Sequence, residues 1–191
     1  MKIVFATHNK NKLVEVKSQV PSHIEIVSLD DINCFDEIPE TASTLEGNAS
    51  LKASFVSEKF NIPCFSDDTG LLVDYLNGAP GVLSARYAGE EKDDELNMAR
   101  LLNELPLNAN RNAHFKTVVA LHINGKELFF EGIVQGEITK TKRGEHGFGY
   151  DPIFQPKGYT KTFAELSLKT KKEIGHRGKA ISKLITYLNQ L

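Results

Sequence analysis

Between residues 115 and 138 apolar and polar residues alternate around an Asn124-Gly125 break, and this pattern restricts the fold more than any other. Phe115, Thr117, Val119, Leu121 and Ile123 form one run, and a second extends from Leu128 to Ile138. Residues two apart share a face of a strand, and Asn-Gly accommodates the positive φ values of a type I′ turn. The segment therefore predicts a long antiparallel hairpin in the second half of the chain. Upstream, strand-like and helix-like runs alternate instead. Residues 2–6, "KIVFA", read as a buried strand, followed by a polar turn and a helix with Leu13, Val16 and Val20 on one stripe. Residues 24–28 are a second strand. Ser43 with Glu46 reads as a capping box for a helix carrying Leu45, Ala49, Ala53, Val56 and Phe60.

Residues 62–65 are strand-like, and 71–75 continue the sheet beyond Asp67 and Asp68, which read as a polar strand end. Asp94 caps a helix with Leu96, Ala99, Leu102 and Leu105 facing inward, stopped by Pro106. A last helix from about Lys179 buries Ile181, Leu184, Ile185 and Leu188. Strands alternating with helices early, and a hairpin late, predict an α/β fold with a mixed, twisted sheet and flanking helices. A chain of 191 residues suits one domain, residues 1–191, large enough for two lobes around a cleft.

Composition narrows the function. A net charge of −2 supplies no global attraction to a nucleic-acid polymer or an anionic membrane, so any basic site must be local. No apolar run approaches membrane-spanning length, and Cys34 and Cys64 make no metal-type spacing or disulfide framework. A soluble protein of the reducing cytoplasm is the expectation.

Four polar clusters interrupt the apolar scaffold. "THNKNK" (Thr7, His8, Asn9, Lys10, Asn11, Lys12) stands at a strand-to-helix junction, where free N–H groups and a partial positive charge suit a phosphate. It lacks the glycines of a Walker A loop, and its ordinary reading is a helix cap. Asp67 and Asp68 could supply a carboxylate to Mg2+, which keeps several waters and often takes one or two carboxylates plus phosphates; Glu37 or Glu40 could add a second. Their ordinary reading is a cap and turn. "GEHGFGYDPIF", residues 144–154, offers backbone approach at its glycines and an aromatic, Phe148 or Tyr150, to stack on a base, unless both pack inward. "KTKKEIGHRGK", residues 169–179, is either a solvated face or a basic clamp in which His176 and Arg177 point into a cleft. Together these are the parts of a nucleoside triphosphate site.

"FSDDTGLLVDYLNGAPGVLSARYAG", "GFGYDPIF" and "AELSLKTKKEIGHRGKA" resemble the inosine triphosphate pyrophosphatase family, as do "ATHNKNK" and "PETASTLEGNASLKA". The resemblance runs from Ile3 to about Leu184, with the motifs in order. It implies Mg2+-dependent hydrolysis of ITP, dITP and XTP to the monophosphate and pyrophosphate, by a homodimer of two-lobed α/β subunits with the active site in the central cleft. Carried over by position, Thr7 to Lys12 resemble the triphosphate loop. Asp68 matches the catalytic base and metal ligand, Glu40 the second metal ligand, and Thr69 a substrate-contacting hydroxyl. Phe148, Gly149, Tyr150 and Asp151 match the base-binding loop, and Lys171, His176 and Arg177 the nucleotide clamp. Thr69 stands for the commoner serine, Pro39 for a frequent acidic residue, Gly175 for a serine and His8 for a glycine. Two alternatives stand beside this reading: a septum-site type nucleotide pyrophosphatase acting on pyrimidine or methylated nucleotides, and a single-stranded nucleic-acid binding module.

Overall fold

The computed structural model describes all residues, Met1–Leu191. The elements run β1 (Lys2–Phe5), α1 (Lys10–Lys17), β2 (Glu25–Val27), α2 (Leu45–Phe60), β3 (Cys64–Val73), β4 (Pro80–Gly81), α3 (Asp94–Glu104), β5 (Asn112–Ile123), β6 (Lys126–Ile138), β7 (Phe154–Pro156), α4 (Leu168–Ile174) and α5 (His176–Leu188). Seven strands make one mixed sheet in the order β2-β1-β3-β5-β6-β7, with β4 on β3. β1 pairs in parallel with both β2 and β3, whereas β4 on β3 and β7 on β6 are antiparallel. The hairpin expected from the alternating pattern is β5–β6, with Asn124 at φ 51° and Gly125 at φ 71°. No helix is long and apolar enough to cross a membrane.

The chain divides into two compact units whose boundaries fall inside β3, β5 and β6: Met1–Asp68 with Thr117–Gly132 and Arg177–Leu191, and Thr69–Lys116 with Ile133–His176. In the first, Ile3, Phe5, Phe65, Val119, Leu121, Ile181 and Leu184 share a core, and the in-register Phe5 and Phe65 rings stack 4.6 Å apart. Ala49 and Ala53 of α2 pack on Ala120 of β5. Side chains this small let the helix lie close to the sheet, and the Ser66 hydroxyl donates to the Ala49 carbonyl. In the second unit Phe115, Phe154 and Phe163 cluster with Leu71, Met98, Leu101 and Ile153.

Several local expectations shift. Asp67 and Asp68 do not end a strand: β3 runs ten residues straight through them. Its side chains are buried on both faces around the pair, so the alternation that marks a half-buried strand is missing and the aspartates imitate punctuation. α2 is capped by Thr44, whose hydroxyl accepts from Gly47 N at 3.0 Å, not by Ser43. α3 is capped by Asp93 and buries Asn97, Met98 and Leu101, while Leu96 is 55% exposed and Ala99 is also exposed. Leu102 and Leu105 do pack against the core of the second unit, so only the first half of the expected stripe is displaced. α5 begins at His176, and the basic stretch before it is itself helical as α4.

Candidate active site

Strand β3 places Asp67 and Asp68 on opposite faces, because successive side chains of a strand alternate. Both belong to the first unit, and each meets a different partner set. The Asp67 carboxylate is fully buried between two cations: Lys12 Nζ donates to Oδ1 at 2.8 Å and Arg177 Nε to Oδ2 at 2.9 Å. Arg177 also donates through Nη1 to Glu15. Burial alone would raise the Asp67 carboxyl. The Lys12 ammonium and the Arg177 guanidinium overcome it and hold the group well below the usual carboxylate range. Burial pulls Lys12 down, partly offset by Asp67.

Asp68 faces α2. Its Oδ2 accepts from Asn48 Nδ2 at 3.2 Å, and Lys52 Nζ stands 3.7 Å from Oδ1 while also donating to Glu40. Asn48 in turn accepts from Ala42 N at 2.9 Å, fixing the chain that leads back to Glu40. Burial raises the Asp68 carboxyl, helped by the like charges of Glu40 and Asp67 and opposed by Lys52 and Lys12. Adjacent aspartates are thus driven in opposite directions. Divergent carboxylates of this kind mark which one can take a proton.

Lys12, Lys52 and Arg177 face Glu15, Glu40, Asp67 and Asp68, three cations against four carboxylates, leaving one negative charge in excess. Glu40 and Asp68 converge on one ammonium, so their oxygens already share a cation position. Hard carboxylate oxygens of this kind fit Mg2+. No group of three or more His, Cys, Asp or Glu side chains is arranged to hold a metal ion.

The rest of the segment from Thr7 to Lys12 is built as a cap. Asn9 Oδ1 accepts from Asn11 N and Lys12 N at 2.9 and 3.1 Å, and Thr7 Oγ1 accepts from Asn9 N at 3.2 Å. His8 Nε2 is 3.0 Å from the Asp36 carbonyl, while Lys10 opens α1 and is exposed.

The second unit carries the glycine-aromatic loop. Asp151 is buried, and its Oδ2 accepts from Phe148 N at 2.9 Å and from Lys171 Nζ at 2.7 Å. The same ammonium stands 4.8 Å from the centre of the half-buried Phe148 ring. Gly149 N donates to Asp94 Oδ2 at 2.7 Å. Of the two candidate stacking aromatics, Tyr150 is packed in the core with its hydroxyl donating to the Ser84 carbonyl at 2.8 Å, so Phe148 is left for that role. His176 is also buried, its ring 4.6 Å from that of Phe115. Thr69 lies half-buried in β3.

Gly147 has φ +83°, and a Cβ there would come within 2.0 Å of Asp151 Oδ2, whereas at Gly149, φ +62°, a Cβ would meet nothing within 4 Å. Gly147→Ala should lose about 1–3 kcal/mol of stability in urea unfolding from its backbone strain, plus the displaced Asp151 contacts, and Gly149→Ala clearly less. Equal losses would show that Asp151 does not restrict position 147.

Lys52, Asn48 and Glu15 were not among the residues singled out in the sequence. A signal for two of them exists: the buried face of α2 is Leu45, Asn48, Ala49, Lys52, Ala53 and Val56. An amide and an ammonium four residues apart inside an apolar stripe need partners, and here both meet Asp68, with Glu40 as the hydrogen-bond acceptor of Lys52.

The profile of the Ham1 family matches residues 3–187. The chain belongs to the Ham1 family. A dITP/XTP pyrophosphatase of Flavobacterium johnsoniae is 59% identical over 188 residues, 98% of each chain, and one of Porphyromonas gingivalis is 48% identical over 98% of this chain and 97% of its own. Among solved structures, the Ham1 protein of Staphylococcus aureus superposes with a TM-score of 0.90 at 40% identity, covering 100% of this chain and 99% of that one. The Ham1 fold thus accounts for the mixed sheet and flanking helices expected from the sequence.

Proposed function

We propose that this chain hydrolyses non-standard purine nucleoside triphosphates, ITP, dITP and XTP, to the monophosphate and pyrophosphate. The observation that carries the reading is the opposed pair on β3, a buried anion that fixes two cations beside a carboxylate whose proton affinity is raised. Full-length relatives named dITP/XTP pyrophosphatases supply the substrate class.

Thr7, Asn9, Asn11 and Lys12 receive the triphosphate, with Lys12 held in place by Asp67. Lys52 adds a second ammonium from α2, and the two cations offset charge gathering on the leaving pyrophosphate. Water attacks the α-phosphorus, Asp68 accepts its proton, and the bond from that phosphorus to the bridging oxygen breaks. Glu40 and Asp68 would hold Mg2+, which when bound supplies positive charge to the phosphate oxygens. Phe148 stacks on the base, with Gly149 and Asp151 shaping its loop. Lys171 is a donor without acceptor capacity, so it meets a 6-oxo group and leaves a 6-amino group unmatched. Arg177, held between Asp67 and Glu15, fixes the Asp67 carboxylate. Thr69 adds a hydroxyl contact, and His176 and Tyr150 support the clamp from within the core. A homodimer and a cytoplasmic setting accord with the family reading.

Pyrophosphate release from ITP, ATP and dTTP, with Mg2+ and with chelator, tests this. ITP should exceed ATP in kcat/KM by about 5- to 150-fold, since the one unsatisfied polar group costs ~1–3 kcal/mol. Chelation should abolish turnover. Comparable rates on ITP and ATP would sink the account of base choice.

A further inference from the structure

Residues 144–149 hold three glycines at positive φ, Gly144, Gly147 and Gly149, inside a segment with no strand or helix of its own. Glycine loses the most backbone freedom on ordering, so such a loop needs external ties to hold one shape. Two successive amides of the loop end on carboxylates. Phe148 N donates to Asp151, a residue of the loop itself, whereas Gly149 N donates to Asp94, which opens a different element, α3. That contact is 2.7 Å. Asp94 is not the cap of α3, because Asp93 accepts from Leu96 N at 2.9 Å. The helix therefore has its own capping carboxylate, and the next one is turned toward the loop. A second link runs in parallel, from Lys142 to Glu95.

We propose that Asp94 is a positioning residue for base selection. By tying the Gly149 amide to α3 it holds Phe148 and Lys171 in one geometry before the base arrives, which lowers the ordering cost of binding. This rests on the reading of residues 147–151 as the base-receiving loop. The role assigned to Asp94 is to hold the Gly149 amide, so its loss should weaken binding and selection more than the chemical step.

The test compares the parent, Asp94→Ala and Asp94→Asn, because the asparagine side-chain oxygen can still accept from Gly149 N. For Asp94→Ala the KM for ITP should rise about five- to tenfold with a smaller change in kcat, and the ITP-to-ATP ratio of kcat/KM should narrow by a similar factor. Hydrogen exchange at the Gly149 amide should accelerate in Asp94→Ala, and Asp94→Asn should restore most of both properties. An unchanged Gly149 exchange rate, an unchanged ITP-to-ATP ratio, or a fall in kcat that follows a lowered thermal midpoint and is not rescued by Asn would each overturn the proposal. A parent that releases no pyrophosphate from ITP overturns the functional reading as well. A parent that does so, with Asp94→Ala at the same ratio, overturns the role of Asp94 alone.

Discussion

Asp68→Asn should lower kcat for ITP by about 10²–10⁴-fold, the range a general base contributes, while leaving the protein as stable as the parent or slightly more so. The amide keeps the shape, and its oxygen can still accept from Asn48, but it cannot take a proton from water and offers a cation a neutral oxygen. The stability half of the prediction comes from the sign of the shift. Burial raises the Asp68 carboxyl, so its ionised form is disfavoured in the folded chain and removing the charge relieves that cost. Lys52 retains Glu40, so no buried ammonium is stranded. Steady-state pyrophosphate release together with urea unfolding checks both halves. Near-parental kcat would remove Asp68 from the chemistry, and a large loss of stability would mean the carboxylate is structural.

The same substitution one residue earlier should have the opposite effect on stability. Asp67→Asn is expected to cost about 3–5 kcal/mol of stability, because it strands buried cations whose partner charge is gone. Arg177 keeps Glu15, but Lys12 loses the carboxylate that offsets its burial. Activity should fall too, through displaced Lys12, with KM rising as the triphosphate contact loosens. The parent's acid sensitivity follows from the same residue. Folding depresses the Asp67 carboxyl, so its contribution is fully present well above the unfolded value of ~3.9 and is lost as pH falls below that value toward the depressed folded one. Unfolding of the metal-free chain measured from pH 6 downward should show a slope in this range that Asp67→Asn lacks. Identical slopes would show that the Lys12 and Arg177 contacts do not set the acid response.

Much of the fold was legible because local rules decide it. The hairpin was readable from alternation and Asn-Gly, and the helices from their stripes, because these elements obey a single period. The errors lie where a neighbour overrides the period. β3 is covered on both faces, so it lost its alternation and its aspartates imitated a strand end. The caps slipped by one residue where adjacent residues, Ser43 and Thr44 or Asp93 and Asp94, are both competent. In the second pair the residue left over is the one that reaches Gly149.

The motifs of the candidate site were equally visible as residue types, and their order along the chain placed it in a family. Composition and order determined that much: an α/β chain without a membrane-spanning helix, a polar strand-to-helix junction, an aspartate pair, a glycine-aromatic loop and a basic stretch before the last helix. Only the tertiary structure decided what each residue is free to do. Asp67 and Asp68 are the same side chain in adjacent positions, and nothing local distinguishes them. Their difference arises because β3 turns one toward Lys12 and Arg177, which lie 55 and 110 residues away, and the other toward Asn48 and Lys52 of α2. Proton affinity is a property of the charges and burial around a group, and those are assembled by folding.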